Sequence, residues 1–324
     1  MKYRTLGKTG LKVSEIGLGT FPMGGIFISP GPAFTPMDGF NRKESIKVIK
    51  RALDLGINFV DTAPIYGLGE SEKILSEALQ GRGDEVVIAA KVGYIKHGFY
   101  DFLSSPYQYH DLDYIMRAFE ETLKRLRRDT VGILQIHDVE HDHWWDGEIG
   151  KGIVIDALKE IRKEGRARFL GITGNYSDRL AAVLEKNPGV FDTVQIAHRY
   201  DVIWRDAEKK LFPLAKRGNL GFIVSTPFRE GLFVRRDENM IKNQYPGRVE
   251  QFKRLYALQE RLGMPLSELC LRFVLSNPDV GVVLQGARTI EELEQNVSCA
   301  GKTLSPEVLR ELDEISKMDL HPLY

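Results

Sequence analysis

Short apolar runs alternate with longer amphipathic segments along most of the chain. Residues 86–90 and 281–284 are almost entirely apolar, which is typical of strands buried on both faces, as in a parallel sheet. The pattern predicts eight such strands: Glu15–Leu18, Asn58–Asp61, Val86–Lys91, Thr130–Ile136, Phe169–Thr173, Thr193–Ala197, Gly221–Ser225 and Gly281–Leu284.

Between these strands, apolar residues recur at helical spacing. The first helix begins with a capping box formed by Asn41 and Glu44 and ends at Gly56. The spacing predicts further helices over Glu70–Leu79, Asp111–Leu126, Gly152–Glu164, Ser177–Glu185, Asp206–Arg217, Val249–Leu262, Pro265–Ser276, Thr289–Ala300 and Ser305–Lys317. Repeated strand–helix units with no break in composition predict a (β/α)8 TIM barrel, forming one domain over residues 1–324.

The main alternative is a doubly wound sheet with a second domain. That fold calls for a Gly-x-Gly-x-x-Gly turn after an early strand, but Gly17-Leu18-Gly19 is followed by Thr20-Phe21-Pro22. The segment Lys2–Ser14 has turn residues at Gly7–Gly10 between two β-like ends. We therefore expect an N-terminal β-hairpin that plugs the bottom of a barrel.

Composition narrows the classes of partner. The 324 residues include 45 Lys and Arg and 45 Asp and Glu, so the formal net charge is zero. This balance removes the electrostatic argument for nucleic acid or an anionic membrane as the main partner, and no apolar run is long enough to span a bilayer. The opening Met1–Lys12 does not have the pattern of a secretory signal. The two cysteines, Cys270 and Cys299, are too few for a disulfide framework, so we expect a cytoplasmic protein. Since nucleic acid and membrane are not favoured, we expect it to act on a small molecule.

Four chemically active side chains are expected on one rim of the barrel. Active sites of such barrels lie at the carboxyl ends of the strands. The second predicted strand ends at Asp61, with Tyr66 in the loop that follows, the third ends at Lys91, and the fourth leads into His137. Each has an ordinary explanation when taken alone, such as a helix cap or a strand-end charge, but their joint placement indicates a site.

This set of groups suits proton transfer to or from a carbonyl oxygen. A phenol has a pKa of about 10, and a neighbouring ammonium group is expected to lower it. Asp61 would hold Lys91 in place, and a neutral His137 would orient the carbonyl. The hydride that reaches or leaves the carbon would belong to a nicotinamide cofactor.

The chain resembles the aldo-keto reductases over nearly its whole length. The similarity is carried by Tyr3–Ser14, Gly56–Gly67, Gly69–Glu72, Ala89–Lys91, Thr122–Leu126 and Ile136-His137. The resemblance implies a (β/α)8 barrel, NAD(P)H-dependent interconversion of a carbonyl and an alcohol, and a catalytic tetrad of Asp61, Tyr66, Lys91 and His137.

Within that family, His137–Glu140 and Phe169–Gly174 are most similar to the sugar dehydrogenase branch, which includes L-galactose and D-threo-aldose 1-dehydrogenases. Those enzymes oxidise a sugar at its anomeric carbon to a lactone. The resemblance therefore implies a sugar or sugar-like substrate, with Tyr66 as the base in that direction.

The resemblance also implies which residues contact the cofactor. They are Thr173, Asn175 and Gln195 at the nicotinamide, Ser225, Thr226, Phe228 and Gly231 at the pyrophosphate, and Gly286, Arg288, Glu292, Gln295 and Asn296 at the adenosine ribose. Ser225-Thr226-Pro227-Phe228 replaces the family's aromatic-Ser-Pro-Leu run, so the usual stacking ring is absent there. Glu292 would repel a 2′-phosphate while Arg288 would attract it. We expect NAD(P)H, with a preference for NAD.

Aromatic residues in the rim loops are candidate substrate contacts: Phe21, which begins the insertion Phe21–Phe40, then Tyr94, Trp144 and Trp145. Their faces suit sugar rings and apolar groups, or they simply close the loops over the barrel. Residues 137–143 hold three His and three carboxylates, which leaves a metal-dependent barrel hydrolase as a weaker alternative. A nicotinamide-binding regulatory subunit with little turnover is another. We expect no metal.

Overall fold

A computed structural model describes residues 1–28, 34–36, 39–93 and 109–318. Within this part of the chain, eight parallel strands close into a barrel in which each strand pairs with the next along the sequence and the last pairs with the first. The barrel strands are β1 (Ile16–Gly19), β2 (Phe59–Asp61), β3 (Val87–Val92), β4 (Val131–Ile136), β5 (Ala167–Gly174), β6 (Thr193–Ala197), β7 (Gly221–Ser225) and β8 (Val282–Gln285). The predicted (β/α)8 barrel is confirmed.

Helices surround the barrel, and each barrel strand except β8 is joined to the next by at least one of them. They are α1 (Arg42–Asp54), α2 (Glu70–Ala78), α3 (Leu112–Leu126), α4 (Ile153–Lys163), α5 (Ser177–Lys186), α6 (Leu211–Arg217), α7 (Leu232–Arg235), α8 (Glu238–Gln244), α9 (Val249–Leu262), α10 (Leu266–Leu275), α11 (Ile290–Val297) and α12 (Pro306–Ser316). The Asn41 side chain accepts a hydrogen bond from Glu44 N, as the capping pattern predicts. No helix in the described ranges is long and apolar enough to cross a membrane.

The prediction of one continuous helix over Asp206–Arg217 is wrong. A 3-10 turn over Asp206–Glu208 is followed by α6, which begins only at Leu211. Pro213 lies in the first turn of α6, where its missing N–H has no intrahelical partner to lose. Had the helix begun earlier, the ring of Pro213 would have met the preceding turn. The short helices α7 and α8 were not predicted, since their sequence has little apolar periodicity.

The N-terminal hairpin closes the bottom of the barrel, as predicted. Tyr3–Thr5 pairs antiparallel with Lys12–Ser14, and Leu6 between them is fully buried in a cluster with inward-facing strand residues such as Phe59 and Ile133. A Cβ on Gly221 would lie 2.5 Å from Leu6 Cγ, so this plug requires a glycine in β7. A second hairpin, Ile26–Ile28 with Phe34–Pro36, lies in the loop after β1.

Strand register sets the positions of the polar groups on the opposite rim. Asp61 in β2 is level with Ala89 in β3, and Lys91 in β3 is level with Gln135 in β4. Lys91 is thus two residues beyond the partner of Asp61, on the same face of its strand. The barrel therefore brings the strand-end residues together inside its carboxyl-terminal mouth.

Candidate active site

Lys91 joins three of the predicted residues at the barrel mouth. Its Nζ donates to Asp61 Oδ1 at 2.5 Å, to Thr62 O at 3.0 Å and to Tyr66 OH at 3.2 Å. The side chains of Lys91 and Asp61 are 1% and 3% exposed. A charged amine this deeply buried is tolerated because each of its three hydrogens meets an oxygen.

The loop that carries Tyr66 is held against the loop after β1. Ser71 Oγ donates to Thr20 Oγ1 at 2.7 Å, and Ser71 N donates to Tyr66 O at 3.2 Å. A Cβ on Gly67 would lie 1.9 Å from Gly24 O, and Gly67 has φ +63°. Only glycine satisfies both conditions, so this close approach fixes the backbone beside Tyr66.

A row of polar side chains crosses the barrel interior behind the pair of Asp61 and Lys91. Gln135 Nε2 donates to Asp61 Oδ2 at 3.3 Å and to Gln195 Oε1 at 3.2 Å. Gln195 was predicted as a cofactor contact, whereas Gln135 was not singled out. Its signal in the sequence is a glutamine within an otherwise apolar buried strand. Gln135 Oε1 is buried without a hydrogen-bond partner among the described residues.

His137 lies beside Tyr66, with ring centroids 5.9 Å apart and planes nearly perpendicular. Burial, together with the positive charge of Lys91 and the proximity of His141, holds the pKa of His137 well below its usual range. The imidazole is therefore neutral near pH 7, as expected from the sequence. A neutral ring can donate one hydrogen bond to an oxygen without adding charge to the site.

The prediction that Lys91 lowers the pKa of Tyr66 below its usual value is wrong for this structure. Burial raises the pKa of Tyr66 well above 10, and the negative charges of Asp61 and Asp138 raise it further. The charge of Lys91 does not offset these effects, because Asp61 lies 2.5 Å from the amine and balances it. The phenol is thus protonated in the resting site.

The ends of β4 and β5 form one polar wall of the mouth. Asp138 N donates to Thr173 Oγ1 at 3.1 Å. Asn175 Nδ2 donates to Glu140 Oε1 at 2.7 Å and to Asp138 Oδ1 at 3.4 Å. The structure therefore brings Thr173 and Asn175 together, and it adds two carboxylates that were not predicted as site residues.

The loop after β7 has several residues in the left-handed backbone conformation. Thr226, Arg229, Glu230 and Gly231 all have φ between +47° and +88°, a backbone conformation that clusters at ligand sites. Thr226 Oγ1 accepts from His198 N at 2.8 Å, and Ser225 Oγ donates to Ile196 O. Phe228 packs partly buried against the core. This backbone conformation fits the phosphate-binding role predicted for the loop.

A buried arginine that the sequence analysis missed anchors this loop. Arg229 donates to Asp201 Oδ2 at 2.9 Å, and its guanidinium lies 3.4 Å from the centre of the Trp204 ring. The ion pair and the cation–π contact stabilise the strained turn from behind. In the sequence Arg229 is one of several charged residues between 229 and 237, so nothing there distinguishes it.

In the region predicted to meet the ribose, Arg288 and Glu292 bind each other. Glu292 Oε2 accepts from Arg288 N at 2.8 Å, and its other oxygen lies 3.4 Å from the guanidinium. The two charges that were expected to act in opposite senses on a 2′-phosphate therefore largely cancel.

The other residues predicted there differ in accessibility. Buried Asn296 donates to Gln285 Oε1 at 2.9 Å, while Gln295 is exposed. Gly286 packs on Pro22, since a Cβ there would lie 2.7 Å from Pro22 Cγ. Asn296 and Gly286 thus shape the region from within the fold, and Gln295 offers its amide at the surface.

The predicted substrate residues also differ in how deeply they are buried. Phe21 lies edge-on to Tyr66, with centroids 5.3 Å apart. Trp144 and Trp145 are buried, and their indole N–H groups donate to His137 O and Val139 O. These two rings support the β4 loop from within, which favours the alternative that they close the loop. Tyr94 lies outside the described residues.

The histidines of residues 137–143 pack as aromatic rings. His141 and His143 stack with centroids 5.5 Å apart, and His143 also contacts Trp144. Burial lowers the pKa of His143 to about 3. In the described part of the chain, no group of three or more His, Cys, Asp or Glu side chains is placed to hold a metal ion.

The donor and acceptor set fits a dinucleotide. Amide and hydroxyl groups of Thr173, Asn175 and Gln195 lie at the mouth, and Gln135 contributes a buried acceptor oxygen that lacks a partner among the described residues. The loop of residues 226–231 has the positive φ angles common at ligand sites. Barrels of this kind commonly bind phosphate after strands seven and eight.

The chain is similar to known oxidoreductases along nearly its whole length. Residues 15–317 match the Aldo/keto reductase family. L-galactose dehydrogenase from Arabidopsis thaliana is 31% identical over 326 residues, covering 97% of this chain and 94% of that protein. Pyridoxal 4-dehydrogenase from Microbacterium luteolum is 26% identical, with 91% of each protein covered.

A solved aldo-keto reductase from Bacillus halodurans, in its holo form, is similar with a TM-score of 0.76 and 25% identity, covering 99% of this chain and 98% of that one. The likeness therefore extends over the barrel, the N-terminal hairpin and the last helices. The chain belongs to the aldo/keto reductase family of oxidoreductases.

Proposed function

We propose that the chain is a single-domain NAD(P)-dependent oxidoreductase that interconverts a carbonyl and an alcohol on a sugar or sugar-like lactol or aldehyde. Asp61, Tyr66, Lys91 and His137 are its catalytic residues. One observation carries this proposal: the buried Lys91 amine contacts Asp61 at 2.5 Å and the Tyr66 hydroxyl at 3.2 Å, with His137 beside them.

Each residue has a distinct role. A bound nicotinamide supplies the hydride for reduction or accepts it in oxidation. Tyr66 donates its proton to the carbonyl oxygen, or takes the proton of the alcohol in the reverse direction. Lys91 donates to the phenolic oxygen and stabilises the negative charge that develops there, and Asp61 keeps Lys91 charged and in place. Neutral His137 donates to the substrate oxygen and orients it.

The residues proposed to bind the cofactor belong to the barrel mouth and to the loops after β7 and β8. Thr173, Asn175 and Gln195 hold the nicotinamide carboxamide, and the loop of residues 226–231 holds the pyrophosphate. Because Arg288 pairs with Glu292, the preference for NAD over NADP is smaller than an unpaired Glu292 carboxylate would give. An exposed ion pair has only a weak residual effect on a third charge.

A sugar substrate is supported by three observations. The relative that is 31% identical is named for L-galactose. In addition, Asp138 places a carboxylate 3.8 Å from the His137 ring, and such a group accepts hydrogen bonds from hydroxyls. Phe21 adds an aromatic surface next to Tyr66.

The test is a panel of sugars and aldehydes, assayed with NAD and NADP and their reduced forms at the reduced-nicotinamide absorbance band. Tyr66→Phe is the control, because it deletes only the hydroxyl. We expect turnover in this variant to fall by about 10²–10⁴-fold while cofactor binding persists. Near-wild-type turnover of Tyr66→Phe would refute the catalytic assignment. Tight cofactor binding without turnover on any substrate would favour a regulatory role instead.

A further inference from the structure

Glu140 holds the backbone and the side chain of Asn175 at the end of β5. Its Oε1 accepts from Asn175 N at 2.9 Å and from Asn175 Nδ2 at 2.7 Å. Hydrogen bonds from two groups of one residue to one carboxylate oxygen fix both the position and the rotation of the asparagine. Charge-assisted bonds of this length are among the stronger ones in proteins.

Gly174 makes room for this carboxylate. A Cβ on Gly174 would lie 2.6 Å from Glu140 Oε2, closer than real Cβ contacts. Gly174 belongs to β5 and is not among the residues with positive φ, so its backbone would accept alanine. The glycine therefore leaves the space that Glu140 occupies, and a Cβ at this position would displace the carboxylate.

The consequence is a defined polarity for the Asn175 side chain. An amide has two N–H donors and one carbonyl acceptor. Here one donor faces Glu140 Oε1 and the other faces Asp138 Oδ1 at 3.4 Å. Because ionised carboxylates accept hydrogen bonds and cannot donate them, the amide nitrogen is committed to the protein. Asn175 Oδ1 is then the atom that remains for a ligand, and it recognises a donor.

We propose that Glu140, in the space left by Gly174, is a positioning residue that presents Asn175 Oδ1 to the carboxamide NH2 of the nicotinamide. The inference rests on the proposed function for the cofactor itself. It adds a determinant of cofactor recognition outside the tetrad, formed by two residues that do not themselves touch the ligand.

The test compares two dinucleotides that differ at this one group. NAD carries a carboxamide, while its 3-acetylpyridine analogue has a methyl group in place of the NH2. Dissociation constants for both are measured by quenching of tryptophan fluorescence in wild type, Glu140→Ala, Glu140→Gln and Gly174→Ala. A single hydrogen bond corresponds to a preference of wild type for NAD of about tenfold.

The variants distinguish a role of Glu140 in positioning Asn175 from a general contribution to the structure of the site. Glu140→Gln keeps an acceptor oxygen and should retain the preference, whereas Glu140→Ala and Gly174→Ala should reduce it to about twofold or less. The double variant Glu140→Ala/Gly174→Ala should be no worse than either single variant, because all three release the same asparagine. Its thermal midpoint should exceed that of Gly174→Ala, since the clash has been removed.

Two results would overturn the inference while leaving the proposed function intact. One is an unchanged preference for NAD in Glu140→Ala. The other is an equal weakening of both dinucleotides, which would indicate general structural support. If wild type binds neither NAD nor NADP in either redox state, the proposed function fails, and this inference fails with it.

Discussion

Removing Lys91 should destabilise the fold far more than removing an ordinary surface lysine. Lys91→Met deletes the amine and leaves the Asp61 carboxylate buried, with neutral amide donors such as Gln135 at 3.3 Å in place of a charge. The pair is 1% and 3% exposed, with 2.5 Å between Nζ and Oδ1. Breaking such a pair from one side costs about 3–5 kcal/mol, because the remaining charge is uncompensated.

This magnitude can be measured by urea denaturation. With a slope near 3 kcal/mol per M for a chain of this size, the midpoint of Lys91→Met should fall by about 1–2 M. The matched control is Lys47→Met, which removes a lysine that is 65% exposed and lies 3.2 Å from Glu44. An exposed pair contributes about 0–1 kcal/mol, so the control should stay close to wild type.

The double variant Asp61→Asn/Lys91→Met isolates the physical cause. It removes both charges, so it should recover much of the stability that Lys91→Met loses, while catalysis stays absent in both because the Lys91–Tyr66 contact is gone. If Lys91→Met behaved like Lys47→Met, or if the double variant were less stable than Lys91→Met, the interpretation of a mutually compensated buried pair would be refuted.

Three further predictions concern the chemistry. Asp138→Asn removes a negative charge that raises the pKa of Tyr66, so the alkaline limb of the pH profile for oxidation should move to lower pH; an unmoved profile would contradict the assignment. Arg288→Ala frees Glu292 and should raise the preference for NAD over NADP by about twofold to fivefold, and Glu292→Ala should shift it the other way. Dissociation constants of the reduced cofactors test these two variants. If both variants shifted the preference for NAD in the same direction, the prediction would be refuted. Activity should survive prolonged chelation, and its loss together with one metal ion per chain would favour hydrolysis.

Much of the fold could be predicted from the sequence because the barrel depends on repeated local patterns. Both faces of each strand are buried, so the apolar runs around Val87–Val92 and Val282–Gln285 marked strands within a residue or two. The positions of Asp61 and Lys91 followed, since strand ends in a parallel barrel share one rim. Local pattern and global topology agree at these positions.

The remaining features depend on contacts that local pattern does not encode. Whether Trp144 turns toward the mouth or the core is decided by the acceptor His137 O, which tertiary structure supplies. The pairing of Arg288 with Glu292 includes a hydrogen bond from the Arg288 backbone N–H, just before α11, to the Glu292 side chain. The direction of the Tyr66 pKa depended on how deeply the ring is buried and on how closely Asp61 compensates Lys91.

The protonated state of Tyr66 bears on the direction of the proposed reaction. A phenol whose pKa lies well above 10 is a ready proton donor near neutral pH, which suits reduction of a carbonyl. Oxidation of a lactol needs the phenol to lose its proton first, and burial together with the two nearby carboxylates opposes that loss. On the proposed function, oxidation should therefore accelerate as pH rises through the alkaline range, while reduction should stay high at neutral pH. The balance between the two directions at neutral pH then depends on how far substrate and cofactor change the charges around Tyr66. Of the two carboxylates, Asp138 is partly exposed. Its charge is therefore the one that substrate binding can change most readily.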